Sequence, residues 1–140
     1  MAINKSWYTA EKDDWATPQA LFDKLNEEFH FTVDVCANEH NHKCQLYWNA
    51  EQDGLKQDWN GHMCWVNPPY GYKAPLWVAK ASQHNAVCLL PARTDTALFH
   101  QYIWKKAEVR FLQGRLHFND GSGRAPFPSM IVIFKQVSQI

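Results

Sequence analysis

Apolar residues recur along this chain with a period that changes from block to block, and each change marks an element. Leu21, Phe22, Leu25 and Phe29 fall at helical spacing, giving one apolar stripe as far as about Glu28. Thr17 suits the N-cap of that helix and Pro18 its first helical position. Phe31 to Val35 reads as a first strand. Met63 to Val66 is a second apolar run, stopped by Pro68 and Pro69, neither of which can donate a ladder hydrogen bond. Pro75 opens a helix over Leu76 to Gln83, and Ala86 to Leu90 is a buried strand halted by Pro91. Thr94 or Asp95 then caps a helix running to about Lys106. The runs 109–112 and 115–118 read as strand material joined by a tight turn at Gln113-Gly114, residues 119–126 as a flexible polar loop, and Met130 to Phe134 as the last strand. Residues 1–14 are polar and charged with Trp7 and Tyr8 interleaved, and read as an arm that docks through its aromatics. That leaves 15–140 as a single domain, without repeats or low-complexity segments.

Composition narrows the class. A chain of 140 residues holds one hydrophobic core, and 46% hydrophobic against 20% charged residues reads as soluble and globular. No apolar run approaches the ~20 residues of a membrane span, and the first residues lack the apolar centre of a signal peptide, so an intracellular, cytoplasmic protein is expected. Fourteen basic and fourteen acidic residues cancel, which argues against strong non-specific affinity for nucleic acid and leaves only a local basic face to provide it. Cys36, Cys44, Cys64 and Cys88 show no C-x-x-C pair, and the last two lie inside apolar runs; they read as buried thiols in a reducing compartment. Cys36, His40, His42 and Cys44 together could ligate zinc, but the spacing matches no standard site and no metal is expected. The histidines form no nucleophilic triad, and there is no phosphate loop.

The chemistry lies where the second strand stops, at Asn67-Pro68-Pro69-Tyr70. In an open α/β sheet, the carboxyl edge of the strands is where ligands bind. Asn67 offers a side-chain oxygen, and Pro68 fixes the backbone so that its carbonyl can point the same way. Two converging acceptors suit an exocyclic amine with two N–H donors. Tyr70 adds an aromatic face for a planar base, a contact worth about 1–3 kcal/mol. The bland reading is a loop whose prolines end a strand while Tyr70 packs on the core.

At these residues the sequence resembles the amino-methyltransferases with an Asp/Asn-Pro-Pro-Tyr motif, and more closely the small phage-type DNA N-6-adenine-methyltransferases (Dam-like). The resemblance extends through Trp15-Ala16-Thr17-Pro18-Gln19, Val33-Asp34-Val35-Cys36-Ala37, Asp53-Gly54-Leu55, Leu90-Pro91-Ala92-Arg93-Thr94-Asp95 and Ala125-Pro126-Phe127-Pro128-Ser129. It implies a compact, Rossmann-like, S-adenosylmethionine-dependent fold with a shortened central sheet and no separate target-recognition domain. Cofactor contacts fall on the segment of Trp15, on Thr17 and Pro18 for the methionine carboxylate, on Asp34 for its ammonium with Asn38 nearby, and on Asp53 for the adenine amine, with Gly54 allowing close approach. Helix capping by Thr17 remains the simpler role. Lys43 to Trp48 reads as the remnant of an edge strand. No glycine lies between residues 29 and 53, a departure from the usual glycine-rich cofactor loop. Lys73 and Arg124 are assigned to DNA, and Arg93 either to DNA and the target pocket or to a structural salt bridge.

The resemblance implies methyl transfer to N6 of an adenine flipped out of double-stranded DNA, with short or loose specificity, by a monomer or homodimer in a bacterial cell that carries it as a phage or prophage gene. Methylation of RNA adenine or of a protein glutamine, or an inert nucleic-acid-binding module, remain as alternatives.

Overall fold

The computed structural model describes residues 15–121 and 123–136, so the expected arm at 1–14 lies outside the described residues. Its centre is a five-stranded sheet of order β1-β2-β3-β5-β4. Strands β1 (Val33–Asp34), β2 (Cys64–Val66) and β3 (Ala86–Pro91) are parallel, in register Val33 to Cys64 and Cys64 to Ala86. Strand β5 (Ser129–Phe134) runs antiparallel to β3, and β4 (Glu108–Phe111) antiparallel to β5. The result is a mixed α/β fold compatible with a methyltransferase.

Every residue of β2 and β5 is buried, which is why β2 and residues 130–134 of β5 read as unbroken apolar runs rather than alternating ones. Successive side chains still part to opposite faces. Cys64, Val66, Cys88, Leu90 and Val132 pack with Trp77 and Val78 of helix α2 (Ala74–Ala81). Trp65, Val87, Leu89 and Ile131 pack with Phe22 and Leu25 of helix α1 (Gln19–Phe29). Beside β1, the Asp34 N–H donates to Leu46 O at 3.0 Å and the Trp48 N–H to Asp34 O at 3.0 Å, with one parallel bridge from Asp34 to Tyr47. The expected remnant edge strand is therefore reduced to that bridge. Among the described residues, no helix is long and apolar enough to cross a membrane.

Three sequence expectations need correction. Thr17 does not cap α1: Pro18 occupies the cap position with no side-chain cap, the Thr17 hydroxyl turns instead to Asn67, and the Gln19 N–H faces the Asp120 carboxylate at 3.3 and 3.4 Å. The helix expected up to Lys106 is a short π-helical turn, Phe99–Ile103. Thr96 rather than Thr94 or Asp95 receives its Phe99 N–H, at 3.2 Å, because the chain first turns on a Thr96 Oγ1–Arg93 O bond of 2.9 Å. Residues 115–118 form no strand. β4 pairs with β5 instead, and Phe118 is buried against Trp15 and Phe127 at the head of a turn, Phe118–Asp120.

Candidate active site

A cavity of about 620 Å³ opens where β1 and β2 end. This lies within the roughly 300–1,000 Å³ usual for small-molecule sites. Asn67, Pro68 and Pro69 form part of its wall, because the prolines turn the chain across the sheet edge as soon as β2 stops. Trp15 and Thr17 face them from the segment before α1, and Asp34 and Asp53 supply two carboxylates. Lys73 stands on the same wall just before α2, next to Tyr72.

The Asn67 amide is fixed. Its Nδ2 donates to Trp15 O at 2.7 Å and to Thr17 Oγ1 at 3.1 Å, while Oδ1 accepts the Tyr70 hydroxyl at 2.8 Å. Both amide hydrogens are spent on acceptors. The oxygen, which can accept two bonds, keeps one direction open.

Tyr70, expected to offer its ring to a base, lies behind Asn67. Only 3% exposed, its ring packs edge-on against Phe127 and Phe118, with centroids 5.6 and 6.3 Å away, and it is not on the wall of the main cavity. The hydroxyl explains the burial, since its one hydrogen has two acceptors in reach, Asn67 Oδ1 at 2.8 Å and Leu89 O of β3 at 3.2 Å. Burial raises its pKa well above the ordinary 10.0, which keeps it a neutral donor. The open aromatic on the cavity is Tyr72, 70% exposed.

Asp34 is 2% exposed, and its carboxylate accepts from the Lys43 N–H at 3.0 Å and the Cys36 N–H at 3.4 Å. Burial pushes its pKa up to about 7 against the pull of those two donors. A buried carboxylate poised in this way suits a cationic ligand group. Asp53 accepts from the Leu55 N–H at 3.1 Å and starts the turn Gly54–Lys56. A Cβ on Gly54 would lie 2.0 Å from Val35 O, so glycine is required there and the close approach expected from the sequence is present.

Other nominated residues fall elsewhere. Pro18 and Asn38 do not line the cavity. The Asn38 oxygen is used within its own loop, accepting from the His40 and Asn41 N–H groups, and Asn41 reaches the cavity instead. Arg93 lines a second cavity of about 270 Å³, on the other side of the motif beside Tyr70 and Gly71. Its guanidinium lies 5.9 Å from the Phe127 ring centroid. Arg124 is exposed and lines neither cavity. The His42 ring stacks on Tyr47 and bonds Cys44 O, and among the described residues no three metal-ligating side chains come together. Sequence reasoning missed Trp48, Asn49, Tyr72 and Leu76 on the main cavity wall. Of these, only the apolar residue Leu76, left exposed on α2, carried a signal that periodicity could have found.

The residues present fit S-adenosylmethionine. One carboxylate, Asp34, is buried at the cavity and suits a cation, a second, Asp53, stands beside a glycine turn, and the buried Trp15 Nε1 has no hydrogen-bond partner among the described residues. A family model for DNA N-6-adenine-methyltransferase (Dam) matches residues 5–139. A DNA N-6-adenine-methyltransferase of Haemophilus phage HP1 is 34% identical over 139 residues, covering 90% of this chain and 80% of the relative. A putative methyltransferase, YfdM, of Escherichia coli K12 is 34% identical over 65 residues, covering 41% of this chain and 71% of its own length.

Proposed function

The chain belongs to the DNA N-6-adenine-methyltransferase family, and from that premise we propose that it methylates N6 of an adenine flipped out of DNA, with S-adenosylmethionine as donor. The observation that carries this reading is the fixed Asn67 amide, whose spent hydrogens leave an oxygen acceptor on the wall of the main cavity. The exocyclic amine is a poor nucleophile because its lone pair is delocalised into the ring. Acceptors from Asn67 Oδ1 and the Pro68 carbonyl draw the nitrogen toward tetrahedral geometry and free that pair. Asp34 holds the cationic end of the donor, and Asp53 accepts from its adenine amine. When bound, S-adenosylmethionine supplies an electrophilic methyl group. The chain supplies alignment and no covalent intermediate is needed: the carbon–sulfur bond of the donor breaks as the carbon–nitrogen bond forms, S-adenosylhomocysteine leaves, and the methylated nitrogen gives up one proton to solvent. Base flipping is part of this reading, since an adenine inside a duplex cannot reach a cavity wall.

The reading is tested by transfer of radiolabelled methyl from S-adenosylmethionine to unmethylated DNA, with RNA and a glutamine-containing protein alongside. Label is expected in DNA adenine and should fall about a hundred-fold or more in Asn67→Ala. No label in any substrate, with no cofactor heat by calorimetry, would sink it. Label confined to RNA or protein would transfer the same chemistry to that substrate.

A further inference from the structure

The segment that holds Asn67 is itself held. Residues 15–19 supply the Trp15 carbonyl and the Thr17 hydroxyl that fix the Asn67 amide. They are gripped from the other side by the connection between β4 and β5. The Asn119 N–H donates to Ala16 O at 2.8 Å, and the Ala16 N–H returns a bond to Asn119 Oδ1 at 3.2 Å. Next to it, Asp120 takes the Gln19 N–H on its carboxylate. Phe118 packs edge-on against the Trp15 ring, with centroids 5.1 Å apart, and also touches Tyr70.

The backbone there is unusual. Asn119 and Asp120 are consecutive non-glycine residues in the left-handed region, at φ 60° and 51°. Asn and Asp tolerate that region better than other side chains, but strain of this kind persists only where its surroundings enforce it. Here the hydrogen bonds of Asn119 and Asp120 to residues 15–19 are such surroundings.

We infer that Asn119 and Asp120 are positioning residues for methyl transfer: by fixing the Trp15–Gln19 segment they set the orientation of the Asn67 amide. The inference rests on the reading that the Asn67 oxygen receives the target amine. It makes the β4–β5 connection part of the catalytic apparatus although Asn119 and Asp120 do not line the main cavity.

Asn119→Gly is the informative variant, because glycine keeps the left-handed backbone and the main-chain bond to Ala16 while removing the side-chain acceptor. Its single-turnover rate at saturating DNA and cofactor should fall roughly ten-fold while the dissociation constant for S-adenosylhomocysteine stays within about two-fold, and Asn119→Asp should restore the rate. A loss that appears only as weaker cofactor binding, or a rate that stays at wild type, overturns the inference. A second readout is independent of turnover: the Asn67 side-chain amide pair in ¹⁵N spectra, identified by its loss in Asn67→Asp, should shift in Asn119→Gly. An unmoved pair overturns the inference. If the wild-type protein methylates nothing, the functional reading falls, while the amide shift still decides the positioning.

Discussion

At the scale of single residues, Asp34 carries the clearest chemical consequence. Its folded pKa of about 7 stands above the ordinary 3.8 because burial penalises the charge more than the Lys43 and Cys36 N–H groups reward it. The sign follows from proton binding. Between these two values the fold holds a proton that the unfolded chain has lost, so the ligand-free protein loses stability as pH rises through that interval, and the loss is complete above about 7. A cationic ligand reverses the preference, because it needs the carboxylate. Cofactor affinity should therefore tighten by about ten-fold per pH unit from about pH 5 to 7 and level off above, with one proton released per ligand bound below the plateau. Calorimetry across that range, in buffers of different ionisation enthalpy, reads both quantities. Asp34→Asn should weaken binding and flatten the profile. A wild-type profile with no change of slope near pH 7 would show that this carboxyl does not meet the cation.

Among the elements, the turn Gly54–Lys56 is fixed from three sides. The Trp59 indole N–H donates to Gly54 O at 2.8 Å, Lys80 Nζ bonds Leu55 O at 2.7 Å, and Gly54 lies against Val35 O and the Trp77 ring. Because the atom a Cβ would strike first is backbone of the neighbouring segment, no side-chain rotation relieves it. Gly54→Ala should cost about 3 kcal/mol in urea unfolding and displace Asp53 enough to abolish cofactor binding; wild-type stability would mean the turn has room to shift. This turn was legible in the sequence because Asp-Gly carries its own backbone signal, and β2 and β3 because prolines end them. The helix expected from Thr94 was not legible. Its start moved to Thr96 through a bond to Arg93 O, and the chain leaves it through Lys105 at φ 62°, which no propensity marks. Residues 115–118 failed for a related reason: they look like a strand, but Phe118 is claimed by Trp15, about a hundred positions away in the chain. Tyr70 illustrates the limit within the site. The motif announced an aromatic, but only tertiary packing decides that its hydroxyl rather than its face serves Asn67.

For the whole molecule, the sheet divides the work. Its parallel half ends in the main cavity, while the antiparallel half, β4 and β5, adds no residue to that cavity wall and reaches it through the connection that grips residues 15–19. Burial, not the two halves of the sheet, sorts the four cysteines, and that gives a measurement on the intact protein. Cys44, Cys64 and Cys88 are buried, and burial pushes Cys44 and Cys64 up to about 12 and Cys88 higher still. Alkylation requires thiolate at an accessible sulfur, so these three should be inert in the folded protein at mildly alkaline pH. Cys36, half-buried and just past the end of β1, lies on the cavity wall. Iodoacetamide should therefore modify one thiol per native chain, at Cys36 by peptide mapping, and all four after denaturation. S-adenosylhomocysteine should slow that single modification by shielding the wall, in proportion to the occupancy measured by calorimetry. Labelling of Cys64 or Cys88 at a comparable rate would mean that the sheet opens far more readily than its buried strands imply. Cys36 labelling that saturating ligand leaves unchanged would place the bound ligand away from the β1 end of this cavity.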